Sequence, residues 1–538
     1  MKVEVLNGTR TTPGYPSKPG VPRAPANDST PSIPSIPISY TDAVPILKAL
    51  NGHGPKSSDF KYWGRNNGLA SKGVEYYIGP SPDDVVLNLN NQQDYQVTPQ
   101  WDVIGIVNGT IPHEVLIIGN HRDAWIAGGA GDPNSGSAAL NEAIRAVGKA
   151  LDAGWKPLRT IVFASWDGEE YGLVGSTEWV EEFLPWIKDV NVAYLNVDVA
   201  VSGPTFKTGA TPTLSHVVRD VAHRVQSPNQ TIEGQTVGDL WDGQIEPLGS
   251  GSDFTAFQDY AGVPCMNLGF EGGGPNDPVY HYHSNYDNIN WMVNYGDPGF
   301  KYHKTMAQLI GLVIADLVDS IVIPFRAAEY ADALEGYLDS VESKLDAAKE
   351  PKTDDEIFAL RAQVTAGEVT GSADAFKQSL AAIRESIVHF RIKALEIDEL
   401  AAWANRELVA GIPWWNVIRH IKLVRTIIKV NKQYKYLERN LLFEGGLDGR
   451  SWFKHVVYAP GLWTGYSGGK YNILRNRAFA KVLGLMFCSC LSRSRREHRR
   501  QGLHEWPEVG WHHQDVHRQG RQEPRVRKAM MLRGLATS

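Results

Sequence analysis

Between residues 98 and 325 the chain alternates short, almost unbroken apolar runs with longer stretches in which apolar residues return every three or four positions. VLIIGN (115–120), TIVFASW (160–166), VAYLNVD (192–198) and VPCMNLGF (263–270) are of the first kind. Runs apolar on successive residues predict strands covered on both faces, as in a parallel sheet. SAALNEAIRAVGKALDAG (137–154) and STEWVEEFLPWIKD (176–189) are of the second kind and predict helices, the latter opened by a Ser/Thr cap with Glu in its first turn. Such alternation predicts an α/β domain built on a mostly parallel sheet.

After about residue 325 the strand pattern stops. Phe376, Leu380, Ile383, Ile387, Phe390, Ala394, Leu395 and Ala401 follow near-heptad steps, and VIRHIKLVRTIIKVNKQYKYLERNLL is a further long helical stretch. Both predict helices packed on the α/β domain or on a second subunit. Residues 1–40 are dense in Pro, Gly and Ser, which remove ladder donors and block helices, so the start reads as extended, turn-rich chain.

Composition changes this picture little. A chain of 538 residues at 42% hydrophobic accommodates two or three packed domains. No apolar run reaches the roughly 18–20 residues of a membrane span, and MKVEVLNGTR lacks a signal-peptide core. Cys265, Cys488 and Cys490 supply neither a disulfide framework nor a four-cysteine zinc site. Glycosylation tripeptides at Asn7, Asn27, Asn108 and Asn229 fit a secreted chain but recur by chance. Residues 471–538 hold 14 Lys+Arg against 5 Asp+Glu within a chain of net charge −6. Periodicity vanishes there too, so this basic tail is read as a non-native reading frame or a disordered segment, not as a nucleic-acid surface.

The strand ends carry the chemistry. VLIIGN runs into His121, TIVFASW into Asp167-Gly168-Glu169-Glu170, and VAYLNVD ends on Asp198. The loop GNHRDAWIAGGAGDPNSG adds Asp123 and Asp132 among glycines, and HYHSNYD adds His281 and His283. Functional groups in open α/β sheets gather beyond the carboxyl ends of the strands. Taken singly, each is more simply a helix cap, a surface histidine or a solvated carboxylate. Taken together, carboxylates and imidazoles without thiolates form the ligand set of hydrolytic zinc. Five such groups exceed the need of one tetrahedral ion with an open position. Two ions sharing a carboxylate are therefore expected, able to polarise a carbonyl and hold a hydroxide. A non-ligand carboxylate must still move the proton, and adjacent Glu169 and Glu170 can divide these duties. Asp123, two residues beyond His121, is placed to hydrogen-bond the imidazole and fix its tautomer.

GNHRDAW, GGAGDPNSG, SWDGEEYGLVGSTEW, YLNVD, LGSGSDF and YHSNYD, in this order, resemble the glutamate carboxypeptidase II family of dinuclear zinc exopeptidases, which has the transferrin receptor as a non-catalytic relative. The resemblance covers roughly residues 5–470. It implies that His121 and Asp198 hold one zinc, Glu170 and His283 the other, with Asp132 as the bridge and His281 as the rival of His283. It implies Glu169 as general base and Tyr282 as a stabiliser of the tetrahedral oxyanion. A structural calcium is also implied, on the carbonyls of Thr12 and Tyr15 and the carboxylates of Glu178 and Glu181. The plainer reading is that these glutamates favour a helix N-terminus.

The implied organisation is a partial apical (protease-associated) region at 1–97, a zinc peptidase domain at 98–325, a helical dimerisation domain at 326–470 and the tail at 471–538. The implied activity is peptide hydrolysis near a chain end by a homodimer, with carboxypeptidase action ahead of aminopeptidase action. The alternatives are a non-catalytic receptor-like binding protein and an inactive truncated product. Survival of all five ligand types and the base favours the enzyme.

Glutamate-selective members use arginines in stretches that read VAVSGPTFKTG and MNLGFEGGGPNDPVYHYHS here, with none in either. A lysine that grips the terminal glutamate aligns with Gly465, although Tyr466 remains, and Ser252, after Gly251, replaces an asparagine near the substrate backbone. A preference for acidic peptides is therefore not expected. Relatives also carry an upstream anchor, further strands and a carboxylate-binding arginine. The resemblance thus implies an extracellular, vacuolar or membrane-anchored setting, with any anchor in a longer upstream sequence.

Overall fold

A computed structural model describes residues 12–24, 33–60, 63, 67–92, 98–347, 373–461 and 465–468. The basic tail at 471–538 lies outside the described residues.

The apolar runs form the centre of a six-stranded sheet. Its strands are β1 (Val103–Val107), β2 (Ile111–His121), β3 (Arg159–Trp166), β4 (Asn191–Asn196), β5 (Thr205–Ala210) and β6 (Cys265–Glu271), in the order β1-β3-β2-β4-β6-β5. Pairings among β3, β2, β4 and β6 are parallel, whereas the edge strands β1 and β5 run antiparallel to their neighbours. The predicted mixed α/β core, mostly parallel, is present. The edge strands escaped the sequence reading because VIGIV and TFKTGA are short and broken by glycine or lysine. An edge strand needs no apolar coat on both faces.

Helices cover both faces of the sheet. Leu116 and Ile118 of β2 share a core with Ala139 and Leu140 of α2 (Asn134–Asp152) and with Leu309 and Val313 of α5 (Lys301–Asp319). Val115 and Ile117, pointing the opposite way, pack with Val180 and Ile187 of α3 (Val174–Val190) and with Phe257. Two-sided burial is what the unbroken apolar runs encode. This part also contains the peripheral α1 (Tyr40–Lys48), the short α4 (Ser215–Ala222) and several shorter helical turns.

The start of α3 differs from the sequence reading. It begins at Val174, after Leu173 in a left-handed conformation (φ 58°), and no side chain caps it. Ser176 and Thr177 are buried inside the first turn, where the Ser176 hydroxyl donates to the Leu173 carbonyl. A tight turn at Gly172-Leu173 ends the strand-to-helix loop, so no hydroxyl cap is needed.

Beyond residue 325 the described chain is helical, with α6 (Ala327–Ala347), α7 (Ala373–Ala410) and α8 (Val417–Tyr436), before the small ladder β7 (Pro460–Gly461) and β8 (Gly465–Gly468). Leu380, Ile383, Ile387, Ala394 and Ala401 of α7 are buried as the heptad steps predict. Leu395 is not: it is 48% exposed and shares an outer stripe with Val388 and Ile392. On α8, Leu423, Val430 and Tyr434 face the core while Val417, Ile418, Ile421, Val424 and Ile428 face outward. Among the described residues, no helix is long and apolar enough to cross a membrane.

Candidate metal centre

The chain climbs β2, crosses to β3, and returns over β2 to build β4 on the other side. Loops leaving strands on either side of such a reversal splay apart and open a crevice. Into it the ends of β2, β3 and β4 deliver His121, the Glu169-Glu170 pair and Asp198. Gly136, in the first turn of α2, sits so close to this rim that a Cβ would come within 2.1 Å of the Asp198 carbonyl oxygen. The helix can pack there only without a side chain.

Among the described residues, two groups of metal-capable side chains result: His121 with Glu169 and Asp198, and Asp132 with Glu170 and His283. The Nδ1 of His121 meets the Asp123 carbonyl at 2.9 Å, so in the neutral ring this nitrogen carries the proton and Nε2 presents a lone pair. That lone pair faces Asp198 Oδ1 at 2.9 Å, Asp132 Oδ1 at 3.2 Å and Glu169 Oε2 at 3.9 Å. On the other side, His283 Nε2 lies 3.1 Å from both Asp132 Oδ2 and Glu170 Oε2. Asp132 thus stands between the imidazoles with one oxygen toward each.

The electrostatics call for a cation. Burial, then the charge of Asp198, drives the Glu169 carboxyl well above its usual range. Burial, then Asp132, pushes Glu170 up to about 8. Burial also raises Asp132 and takes Asp253 to about 7. Burial alone would lower His121, but the charge of Asp198 and the carboxylates of Asp123 and Asp132 beside the ring hold it well above its ordinary value. Asp132 Oδ1 and His283 Nε2 are buried and satisfied by no hydrogen bond. Lone pairs converging on lone pairs, inside a surplus of buried carboxylates, fit divalent zinc.

The remaining expected residues fall out as follows. Asp123 meets the imidazole through its backbone carbonyl, while its carboxylate lies 3.6 Å from His121 Nδ1. The carboxylate accepts the amides of Glu169 and Glu170, at 3.0 and 3.1 Å, and so orients that pair. His281 packs tilted against Tyr286 and belongs to neither group; His283 is the imidazole brought in. Tyr282, half exposed, stacks on the His283 ring and lines the crevice, a cavity of about 640 Å³ that Gly251 and Ser252 also line. Tyr466 lies on β8, its side chain outside the described part.

Thr12, Tyr15, Glu178 and Glu181 meet at one junction. Gly14 N–H donates to Glu181 at 2.6 Å, Ser17 N–H to Glu178 at 2.5 Å, and Tyr15 N–H to the Thr12 carbonyl at 3.3 Å. The two glutamates therefore bind the loop amides rather than only facing a helix end. Trp452 Nε1–H also donates to Glu181, whose carboxyl burial raises to about 7.

Two carboxylates went unremarked in the sequence. Asp253, in LGSGSDF, is fully buried with neither oxygen hydrogen-bonded. Asp287, the last residue of YHSNYD, accepts two loop amides beside Asp132. Both sit within motifs already recognised, but an Asp that binds amides has the same letter as one that binds a metal.

Residues 102–297 match the profile of Peptidase family M28, and residues 378–485 that of the Transferrin receptor-like dimerisation domain. A "Probable glutamate carboxypeptidase" of Arthroderma benhamiae is 42% identical over 434 residues, covering 80% of this chain and 54% of that protein. "Probable glutamate carboxypeptidase LAMP1" of Arabidopsis thaliana is 34% identical, covering 81% and 54%. "Aminopeptidase NAALADL1" of Rattus norvegicus is 29% identical, covering 79% and 54%. The chain spans about half the length of these curated relatives.

Proposed function

The chain belongs to the glutamate carboxypeptidase and transferrin receptor-like group of peptidase family M28, and from that premise we propose that it is a zinc-dependent exopeptidase, a carboxypeptidase by the names of the more similar relatives. The observation that carries the reading is Asp132 standing between His121 and His283, with one carboxylate oxygen toward each. His121, Asp198 and Asp132 would hold one zinc, and Glu170, His283 and Asp132 the other. When bound, the ions would supply Lewis acidity to the scissile carbonyl and acidify the attacking water. Glu169 takes the proton from that water and passes it to the leaving amine. Tyr282, on the crevice wall, donates its hydroxyl to the developing oxyanion. Gly251 and Ser252 line the same crevice and are assigned to the substrate backbone, and Tyr466 to the substrate end.

Side-chain selection follows from the lining. Lys207 is the one cation among the described lining residues, and it pairs with Asp242 at 3.0 Å, while Glu246 and Glu271 stand on the same wall. An acidic substrate would meet more repulsion than attraction there, so neutral residues are favoured over glutamate. The test is direct: purified protein is assayed for zinc, then for release of terminal residues from blocked and free peptides, with and without chelator. Turnover lost on chelation and regained with zinc is expected; turnover indifferent to chelation would sink the proposal. Cleavage requiring a free amino end would reassign the enzyme as an aminopeptidase.

A homodimer forms through the outward apolar stripes of α7 and α8, which water covers in a lone chain at considerable cost. Replacing Ile418 and Ile428 together by Asp is expected to halve the mass measured by light scattering, with metal content unchanged. An unaltered dimer would locate the interface elsewhere.

A calcium at Thr12, Tyr15, Glu178 and Glu181 would be held by two backbone carbonyls and two carboxylates, the hard oxygen donors that suit this ion. Without it, Glu181 makes stability depend on pH. Its folded value of about 7 lies above the ordinary 4.5, so the folded state holds the proton more tightly. The resulting stability is complete below about 4.5 and is lost as pH rises through about 7, on the order of 3 kcal/mol at most. Glu181→Gln should flatten that part of a melting-temperature profile. Added calcium should raise the melting temperature at pH 8 far more than at pH 5; equal effects would argue against the ion.

A further inference from the structure

Asp287 is 1% exposed and does not line the crevice. Its Oδ1 accepts the Gly131 N–H at 2.7 Å, and its Oδ2 accepts the Asp132 N–H at 3.0 Å and the Tyr280 hydroxyl at 2.9 Å. Two successive amides on one carboxylate fix the peptide plane that precedes Asp132, and with it the direction in which the Asp132 side chain leaves the backbone. Among the described residues, Oδ1 has no hydrogen bond, and the two oxygens face the imidazoles of His121 and His283.

The two segments are pressed together along their length. A Cβ on Gly128 would come 2.3 Å from the Asp287 carbonyl oxygen, and one on Gly131 would come 2.8 Å from the Tyr280 ring. The segment 280–288 also carries His283. One stretch of chain therefore presents an imidazole to the centre and, four residues later, aims the carboxylate that this imidazole faces.

We propose that Asp287 is a positioning residue that sets the spacing of the two metal sites by holding Asp132 between His121 and His283. This rests on the reading of Asp132 as the shared ligand. Charge makes the bond count. A carboxylate accepts all three donors with ionised oxygens, and such bonds are shorter and stronger than neutral ones. Its amide analogue has one accepting oxygen and an NH2 that must face an N–H.

The experiment is Asp287→Asn, read by zinc titration of the apo-protein against a competing chelator and by the visible spectrum of the protein loaded with Co2+. The more weakly held ion is expected to lose about 10–100-fold in affinity, as when other orienting partners of metal ligands are removed, and the cobalt spectrum to change shape. Asp297→Asn is the control. Asp297 is equally buried and accepts the Lys301 and His303 amides, each at 2.9 Å, at the start of α5, away from the crevice. It should lower the melting temperature and leave metal affinity and the cobalt spectrum as in wild type.

Wild-type metal binding in Asp287→Asn, or an equal loss in Asp297→Asn, overturns the proposal. Should Asp287→Asn not fold, Tyr280→Phe removes only the third donor; a several-fold weakening is then expected, and none would count equally against it. A wild-type protein that binds two zincs but cleaves no peptide ends the exopeptidase reading while leaving these metal readouts decisive. One that binds no zinc ends both.

Discussion

Glu169→Gln is expected to lower kcat about 10²–10⁴-fold while zinc content stays at the wild-type level. Both halves of that result matter. Glu169 Oε2 lies 3.9 Å from His121 Nε2 and falls within the same potential metal group as His121 and Asp198, so geometry alone admits it as a third ligand of the first ion. A ligand and a base respond differently to this substitution. Gln keeps the volume and a neutral oxygen but cannot accept the water proton, so loss of a base removes turnover and spares the metal. Loss of a ligand would release zinc as well. Burial, and then the charge of Asp198, keeps the Glu169 carboxyl well above its usual range. A divalent ion held beside it would oppose that shift. Wild-type turnover in the variant would remove the assignment, and loss of zinc would make Glu169 a ligand.

The largest loss of stability is expected from Glu438→Ala, on the order of 3–5 kcal/mol, read as the shift in a urea unfolding curve. Glu438 and His455 are both wholly buried, with Nε2 and Oε2 2.7 Å apart. The Nδ1 of His455 accepts the amides of Val457 and Tyr458, each at 3.1 Å, so Nε2 carries the proton and donates it to Glu438. The Tyr330 hydroxyl of α6 donates to the same carboxylate at 3.2 Å. Removing Glu438 leaves two buried donors without partners and a cavity where its side chain stood. Glu438→Gln keeps an accepting oxygen and should lose less than half as much. If the alanine variant unfolds with the wild-type curve, the network is incidental to stability. The zinc content of the folded variant should not change, since the network lies in the helical part and the metal-capable residues lie beyond the strand ends.

Much of the architecture was legible because it is written in local pattern. β2, β3, β4 and β6 are central, and a strand covered on both faces must be apolar at nearly every residue. β1 and β5 lie at the edges, need no such coat and left no clear trace. α7 shows the limit of periodicity. Near-heptad steps placed Leu380, Ile383, Ile387, Ala394 and Ala401 in the core, yet the same steps included Leu395, which faces outward with Val388 and Ile392. A hydrophobic spacing identifies a face but does not say whether the chain itself or another body covers it.

Residue type and order along the chain determined which side chains have metal-ligand chemistry: His121, Asp132, Glu169, Glu170, Asp198 and His283 stand at strand ends or in motifs, and their zinc-like donor set needs no coordinates to recognise. Tertiary structure decided how they face one another. It chose His283 over His281, placed the two oxygens of Asp132 toward different imidazoles, and gave the ring of His121 to the carbonyl of Asp123 rather than its carboxylate. It also revealed Asp287 behind the Asp132 loop. The reason is physical. A carboxylate that binds a cation and one that grips backbone amides are the same group in the sequence, and only the direction of the nearby N–H bonds, set when distant segments pack, tells them apart.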